Sequence, residues 1–159
     1  MTDAFVDPTN GSRVLAMARR LISARDNAAR IAAIESALRE DFGAGQSVLV
    51  LTTARAPQGL AESRFLRIVP AETPELRSFE TLFSAGKPRC GQLRDSQREF
   101  LFGADAPEVG SVALVPLGVK GSLGLLACGS HDSHRFNPTM STDFLAHIGE
   151  LIAAALSGD

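Results

Sequence analysis

The chain has no tryptophan and no tyrosine, which leaves its phenylalanines and aliphatic residues to build the bulky part of any core. It has only two cysteines, Cys90 and Cys128, too few for a disulfide framework. Thiols of this kind in a cytosolic chain are by default reduced and partly buried, so redox chemistry is a minor reading. Long apolar runs are missing too. The apolar stretches are of strand length or carry helical periodicity, and Met1 to Asn10 has neither the basic flank nor the apolar centre of a signal peptide, so no membrane segment is expected and the cytoplasm is the default location. Neither charge dominates: the formal net charge is -2 with both signs scattered, and nothing drives the whole chain toward nucleic acid or an anionic membrane. A Walker-type loop, a dinucleotide fingerprint and paired zinc-binding histidines on a helix are all lacking.

What is present suits one globular domain over residues 1–159, with 45% hydrophobic and 21% charged residues and an extended or disordered start over residues 1–12. From about Arg13 to Ala24, Val14, Leu15, Ala18, Leu21 and Ile22 recur at helical spacing. Asp26 or Asn27 can cap a second helix with the stripe Ile31, Ile34, Leu38 and Phe42, and Gly43 can end it. The β-branched run Val48 to Thr53 and the run Phe65 to Val69 read as strands that pair antiparallel across a loop carrying Pro57 and Gly59. Thr73 and Pro74 announce a third helix with Leu76, Phe79, Leu82 and Phe83 on its apolar face, and Gly86-Lys87-Pro88 breaks it. A polar segment, Arg89 to Asp95, precedes the capping-box spacing Ser96-Gln97-Arg98-Glu99 and a short helix through Phe102. Ser111 to Leu117 and Leu123 to Ser130, separated by a glycine-bracketed turn, form the strongest strand pair; both are nearly continuous in apolar residues and belong at the centre of a covered sheet. Ser141 or Thr142 can cap a last helix with Phe144, Ile148, Leu151, Ile152 and Ala155 on one face.

This order of elements is that of GAF and PAS-like sensor domains. Phe100-Leu101-Phe102-Gly103, Ala113 to Leu117, Gly124 to Ser130 and above all Arg135-Phe136, Pro138, Met140 and Thr142-Asp143-Phe144-Leu145 closely resemble the bacterial family of unknown function DUF-484, from about Ile31 to Leu156. The resemblance implies a GAF-like domain preceded by a long helical segment, often encoded beside a site-specific tyrosine recombinase, and supplies no biochemical activity. Members of that family usually carry arginine where this chain has His131 and glycine where it has Ser141, and the upstream coiled-coil segment is absent or cut short here, as in an excised domain or a shortened member. The expected fold is therefore α+β: a GAF-like (PAS/profilin-like) antiparallel sheet of five or six strands with helices on both faces, the first, second and last helices on one and residues 74–102 over the other.

Several constellations could carry chemistry. Cys128, His131 and His134 stand at C-x2-H-x2-H spacing around Asp132, but zinc needs three or four converging ligands, and the plainer reading is a solvated loop leading to Pro138; no metal is expected. Cys90 lies beside Arg89 and near Arg94, cations that can lower a thiol pKa. One GAF-like enzyme class, the free methionine sulfoxide reductases, uses such cysteines but needs more than one in this region, so a small residue packed at a helix-to-loop junction is the simpler account. Ser130, His131 and Asp132 are adjacent and cannot converge as nucleophile, base and orienter. His147 reads as a surface or interface residue. The basic residues Arg67, Arg77, Lys87, Arg89, Arg94 and Arg98 either face solvent and pair with Glu72, Glu75, Glu80, Asp95 and Glu99, or recognise an anion.

The reading that follows is a non-catalytic regulatory domain without a cofactor. A small anionic or nucleotide-like ligand would lie between the sheet and residues 79–102, with Phe79, Phe83 and Phe100 as walls, Arg89 and Arg94 binding charge, Gln97 hydrogen-bonding and Cys90 lining the same space. The competing account has those phenylalanines filling the cavity, leaving a dimerisation scaffold. In either case a homodimer is expected through the terminal helices, on Leu15 and Met17 and on Ile152 and Ala153 to Leu156.

Overall fold

Two apolar runs joined by a short turn, Ser111–Leu117 and Gly124–Ser130, sit side by side and antiparallel, with Ser111 opposite Ser130 and Leu117 opposite Gly124. A computed structural model describes residues 8–40, 42–136 and 142–156 of the chain and places this pair in a five-stranded sheet. In chain order the elements are α1 (Pro8–Ser23), α2 (Asn27–Glu40), β1 (Gln46–Thr52), β2 (Leu66–Val69), a 3-10 segment (Pro74–Phe79) running into α3 (Glu80–Ala85), β3 (Arg89–Gly91), α4 (Asp95–Phe102) with a 3-10 tail (Gly103–Glu108), β4 (Ser111–Leu117), β5 (Gly124–Ser130) and α5 (Asp143–Leu156). The strands lie in the order β2-β1-β5-β4-β3.

Successive side chains of a strand point to opposite faces, and here both faces are apolar. Leu49, Leu51, Ala113, Val115, Leu117, Leu126 and Cys128 pack under a layer of α1, α2 and α5, against Met17, Ile34, Leu38, Leu145, Ile148 and Ile152. Val48, Val50, Val112, Leu114, Leu125 and Ala127 face the other way, against Leu76, Phe79, Leu82, Leu101 and Phe102 of the 74–108 cover. The expected distribution of helices over the two faces is therefore the observed one. No helix among the described residues is long and apolar enough to cross a membrane.

Several local expectations hold with their physical cause visible. The Asp26 carboxylate accepts the Ala29 backbone N–H at 2.8 Å, so Asp26 caps α2, and the Thr142 carbonyl accepts the Ala146 N–H at 2.9 Å at the start of α5. Ser141, the other expected cap, and the middle of the 135–145 motif, residues 137–141 with Pro138 and Met140, lie outside the described residues. Gly86 ends α3 at φ 67°, a left-handed conformation that side chains with a Cβ resist.

The sheet is mixed, not antiparallel throughout. β1 and β2 run parallel, with Leu49 opposite Leu66 and Thr52 opposite Val69. An antiparallel pair closes with a tight turn, whereas residues 53–65 have the dozen-residue length of a parallel crossover and carry the chain back to the start of β1. The return is held by side chains: the Ser63 hydroxyl accepts the Phe65 and Leu66 N–H groups, and the Glu62 carboxylate accepts that of Ile68 at 2.9 Å.

Four further expectations are corrected. Arg89–Gly91, expected as irregular polar chain, is an edge strand on β4, too short to show any alternation. Residues 8–12, expected to be extended or disordered, belong to α1, because Pro8 suits the first helical position, where no N–H is needed. The capping pair of α4 sits two residues upstream of Ser96 and Glu99, with the Gln97 side-chain oxygen accepting the Arg94 N–H at 3.1 Å. Finally, Met17, Ile152 and Leu156, expected on the outer face of the terminal helices, are buried where α1, α2 and α5 converge; the outward apolar residues of α1 are Leu15 and Ile22, 52% and 83% exposed.

Candidate functional site

The space between the sheet and its cover divides into a filled centre and an open end. At the centre Phe79, 2% exposed, packs with Leu76, Leu82, Leu101 and Phe102 on Val50, Leu125 and Ala127. Phe100 is half-buried beside it, ring centroids 6.4 Å apart, with the Arg67 guanidinium over its ring, 4.6 Å from the centroid, and donating to its carbonyl. Gln97 spends both ends of its amide inside the cover, accepting from Arg94 N–H and donating to the Ser78 carbonyl at 3.0 Å. Arg94 is exposed, and so is Arg89, which donates to the Thr81 hydroxyl at 3.2 Å. The structure thus brings Phe79, Gln97 and Phe100 together as packing and leaves the two arginines at the surface.

Two of the expected residues reach open space: Phe100 borders a shallow depression beside Arg64 and Arg67, and Phe83 lines a cleft. Phe83 is half-buried in the wall of this cleft of about 290 Å³ at the ends of β1 and β5. The floor is apolar, from Val50, Leu76 and Phe83; Thr52 and Ser122 add polar groups, and Glu72, Arg77, Glu80 and Lys120 carry both signs of charge around the mouth. Thr52 is nearly sealed, 5% exposed, and its hydroxyl donates to the Ser122 carbonyl at 3.0 Å, tying β1 to the turn between β4 and β5. In that turn Lys120 has φ 52°, the one non-glycine residue with positive φ among the described residues. Such a conformation costs about 1–3 kcal/mol and persists only where the surroundings impose it. The cleft escaped the sequence because it gathers residues from three separated segments; the sole local signal was the run Gly118 to Ser122, which reads as a turn and nothing more.

The sequence model of one family, described as a protein of unknown function, DUF484, matches residues 7–157. The chain belongs to DUF484. The match takes in α1, upstream of Ile31, where the residue-by-residue resemblance begins. No curated protein matches this DUF484 chain.

The DUF484 chain holds its thiols on the other side of the sheet from the cleft. Cys90 is opposite Ala113, and Ala113 is opposite Cys128, so all three share one row facing the α1/α2/α5 layer. The expectation that Cys90 shares the ligand space is therefore corrected: strand pairing turns its side chain inward, away from the cover. Two strand spacings, about 9.6 Å, separate the cysteines, beyond the reach of a disulfide. Burial pushes the Cys128 thiol up to about 12, helped by the neighbouring Cys90 and opposed by Arg135 and Ser47. Burial also raises Cys90, and the cation that partly offsets it is Arg135, in place of the expected Arg89 and Arg94. Arg135 is itself engaged, donating to the Phe42 carbonyl at 2.9 Å and lying 4.8 Å over the Phe136 ring.

His131 and His134 are exposed while Cys128 points into the core, so the C-x2-H-x2-H spacing does not converge. His131 Nδ1 lies 2.9 Å from the Glu108 carbonyl instead. Among the described residues no three His, Cys, Asp or Glu side chains are placed to hold one metal ion.

Proposed function

We propose that this chain is a non-catalytic regulatory domain of the GAF type, whose input is a small molecule taken up in the cleft beside Phe83. The observation that carries the reading is the combination at that cleft: an apolar floor of Val50, Leu76 and Phe83, polar groups from Thr52 and Ser122, and a mouth with Arg77 and Lys120 set among Glu72 and Glu80. Ligand sites are characteristically apolar concavities with a few oriented polar groups. The volume of about 290 Å³ lies at the small end of the usual range of about 300–1,000 Å³, which favours a metabolite of organic-acid or amino-acid size over a nucleotide. Its anionic group would meet Arg77 and Lys120. The non-catalytic reading draws support from the thiols, since a cysteine held at about 12 stays protonated near neutral pH and the thiolate is the nucleophile.

Thermal unfolding of the whole chain in the presence of organic acids, amino acids and cyclic nucleotides tests the proposal. A binder at a hundred times its dissociation constant stabilises by about 2.7 kcal/mol. The expected result is a shift by a small organic or amino acid that Arg77→Ala with Lys120→Ala abolishes and Arg89→Ala with Arg94→Ala leaves intact. The reverse pattern would return the ligand to the cover segment. A second reading, a scaffold with a sealed interior, is favoured by Phe79 and its neighbours filling the centre of the cover; a response to no compound would support it and count against the cleft.

A further inference from the structure

We infer that the start of β1, Gln46 to Val48, is a docking edge for an extended, basic peptide segment of a partner protein. The backbone carries the argument. Leu49 N–H donates to the Phe65 carbonyl at 2.7 Å, toward β2, whereas Thr52 N–H donates to the Leu123 carbonyl at 2.9 Å, toward the β5 side. Backbone groups alternate sides along a strand, so the odd-numbered residues of β1 face β2 and the even-numbered ones face β5. Ser47 therefore turns both its N–H and its C=O toward β2. Yet β2 pairs with β1 only from Leu49 onward, while β5 pairs with it from Gln46. The Phe65 N–H, which a continued ladder would bring to the Ser47 carbonyl, donates instead to the Ser63 hydroxyl at 3.2 Å. Among the described residues no backbone group takes up the Ser47 N–H or C=O on that side.

The unpaired stretch opens into a cleft of about 350 Å³, lined by Gly45 and Ser47, by Phe102, and by the charged residues Glu35, Arg64 and Asp105. At about 3.3 Å per residue the three-residue overhang is about 10 Å long, room for a short added strand, and main-chain pairing at a sheet edge is a recurrent mode of peptide capture. Exposed edges are usually blunted. The outer edge of β2 is: the Glu62 carboxylate accepts the Ile68 N–H, and the Ser63 N–H donates to the Leu66 carbonyl. The gap beside Ser47 has no such cover. Charge chooses the occupant. Glu35 and Asp105 line the cleft, and the shallow depression adjoining it along Arg64, Leu101 and Phe102 adds Glu62 and Glu99. The two cations among these walls are already engaged, Arg64 with Asp105 at 2.5 Å and Arg67 with the Phe100 carbonyl, while exposed Arg39 approaches Glu35 only to 3.9 Å. Arg64 is 82% exposed, so its pair with Asp105 is a weak tie that an incoming lysine can replace.

The site lies at the opposite end of β1 from the cleft beside Phe83 and does not rest on the reading of that cleft. Titrating the whole chain with acetylated, amidated Thr-Lys-Val-Lys-Thr, and following backbone amide resonances, tests it. The expected result is a set of shifts confined to residues 45–49, 64–66 and 101–105, with Ser47 among the largest. The same peptide with its three central amides N-methylated keeps its charge and loses its donors, and should bind at least about tenfold more weakly; so should the peptide with glutamate in place of both lysines. Glu35→Lys with Asp105→Lys, at partly exposed side chains, should weaken the lysine peptide by at least about tenfold and leave the circular dichroism of the fold unchanged. No shift at Ser47 with millimolar peptide would overturn the inference, as would equal binding of the N-methylated or the glutamate peptide. A dimeric free chain with the Ser47 amide protected from exchange would overturn it too, by giving the edge to a second copy.

Discussion

Gly121 stands directly against the ring of Phe83: a Cβ placed on this glycine would lie 2.1 Å from Cδ1. Its φ of +71° disfavours a side chain as well. Gly121→Ala is therefore expected to destabilise the chain by about 2 kcal/mol or more, the sum of overpacking and backbone strain. Combining it with Phe83→Ala should recover the steric part only. Urea unfolding of the single and double variants measures both; an unchanged midpoint for Gly121→Ala would mean that the turn and α3 are not in contact.

Lys120 occupies the same turn in a left-handed conformation. Replacing it by glycine removes about 1–3 kcal/mol of local strain and adds about 0.4–1 kcal/mol of unfolded-chain entropy. Lys120→Gly should thus raise the melting temperature while weakening any anion bound at the cleft. A lower melting temperature would show that the lysine side chain contributes more to folding than its backbone costs.

The parts of this fold that could be read in advance are those decided within a few residues. Asp26 ahead of Asn27, Gly86 after Ala85 and the apolar runs on either side of Gly118–Gly121 each satisfy backbone groups or bury a face locally. The direction of β2 was not legible, because it depends on the path of residues 53–65 and on the Glu62 and Ser63 side chains that receive it. β3 was hidden for another reason: three residues carry no periodicity, and only pairing with β4 makes them a strand. That pairing also decides which way Cys90 points, and so removed it from the site to which its arginine neighbours had assigned it. The same holds for Phe79, Phe83 and Phe100, which share a sequence segment but divide between the core, a cleft wall and the half-buried margin of the core.

That division predicts unequal losses on truncation. Phe79→Ala, at a fully buried position, should cost about 3–5 kcal/mol. Phe100→Ala, half-buried and beside Arg67, should cost clearly less. Chemical denaturation of the two variants is the check, and equal losses would contradict the placement of Phe79 as the plug of the cover.

The two thiols make stability depend on alkaline pH. Their proton affinity is higher in the folded chain than in the unfolded one, so the folded state is favoured below the unfolded value of 9.0, and that contribution fades as pH rises toward about 12 for Cys128. Stability measured from pH 8 to 11 should fall, and Cys128→Ala should flatten the slope. Neither thiol should react with a disulfide reagent at neutral pH until the chain unfolds; rapid labelling of the native protein would contradict their burial.

The most direct measurement of the central claim is a map of backbone amide shifts on adding the compound that stabilises the chain most. The account predicts changes confined to residues 50–52, 72–83 and 118–124, the three segments that enclose the cleft, with Thr52, Phe83 and Lys120 among those most affected. Changes centred on residues 89–100, or on α1 and α5, would contradict it.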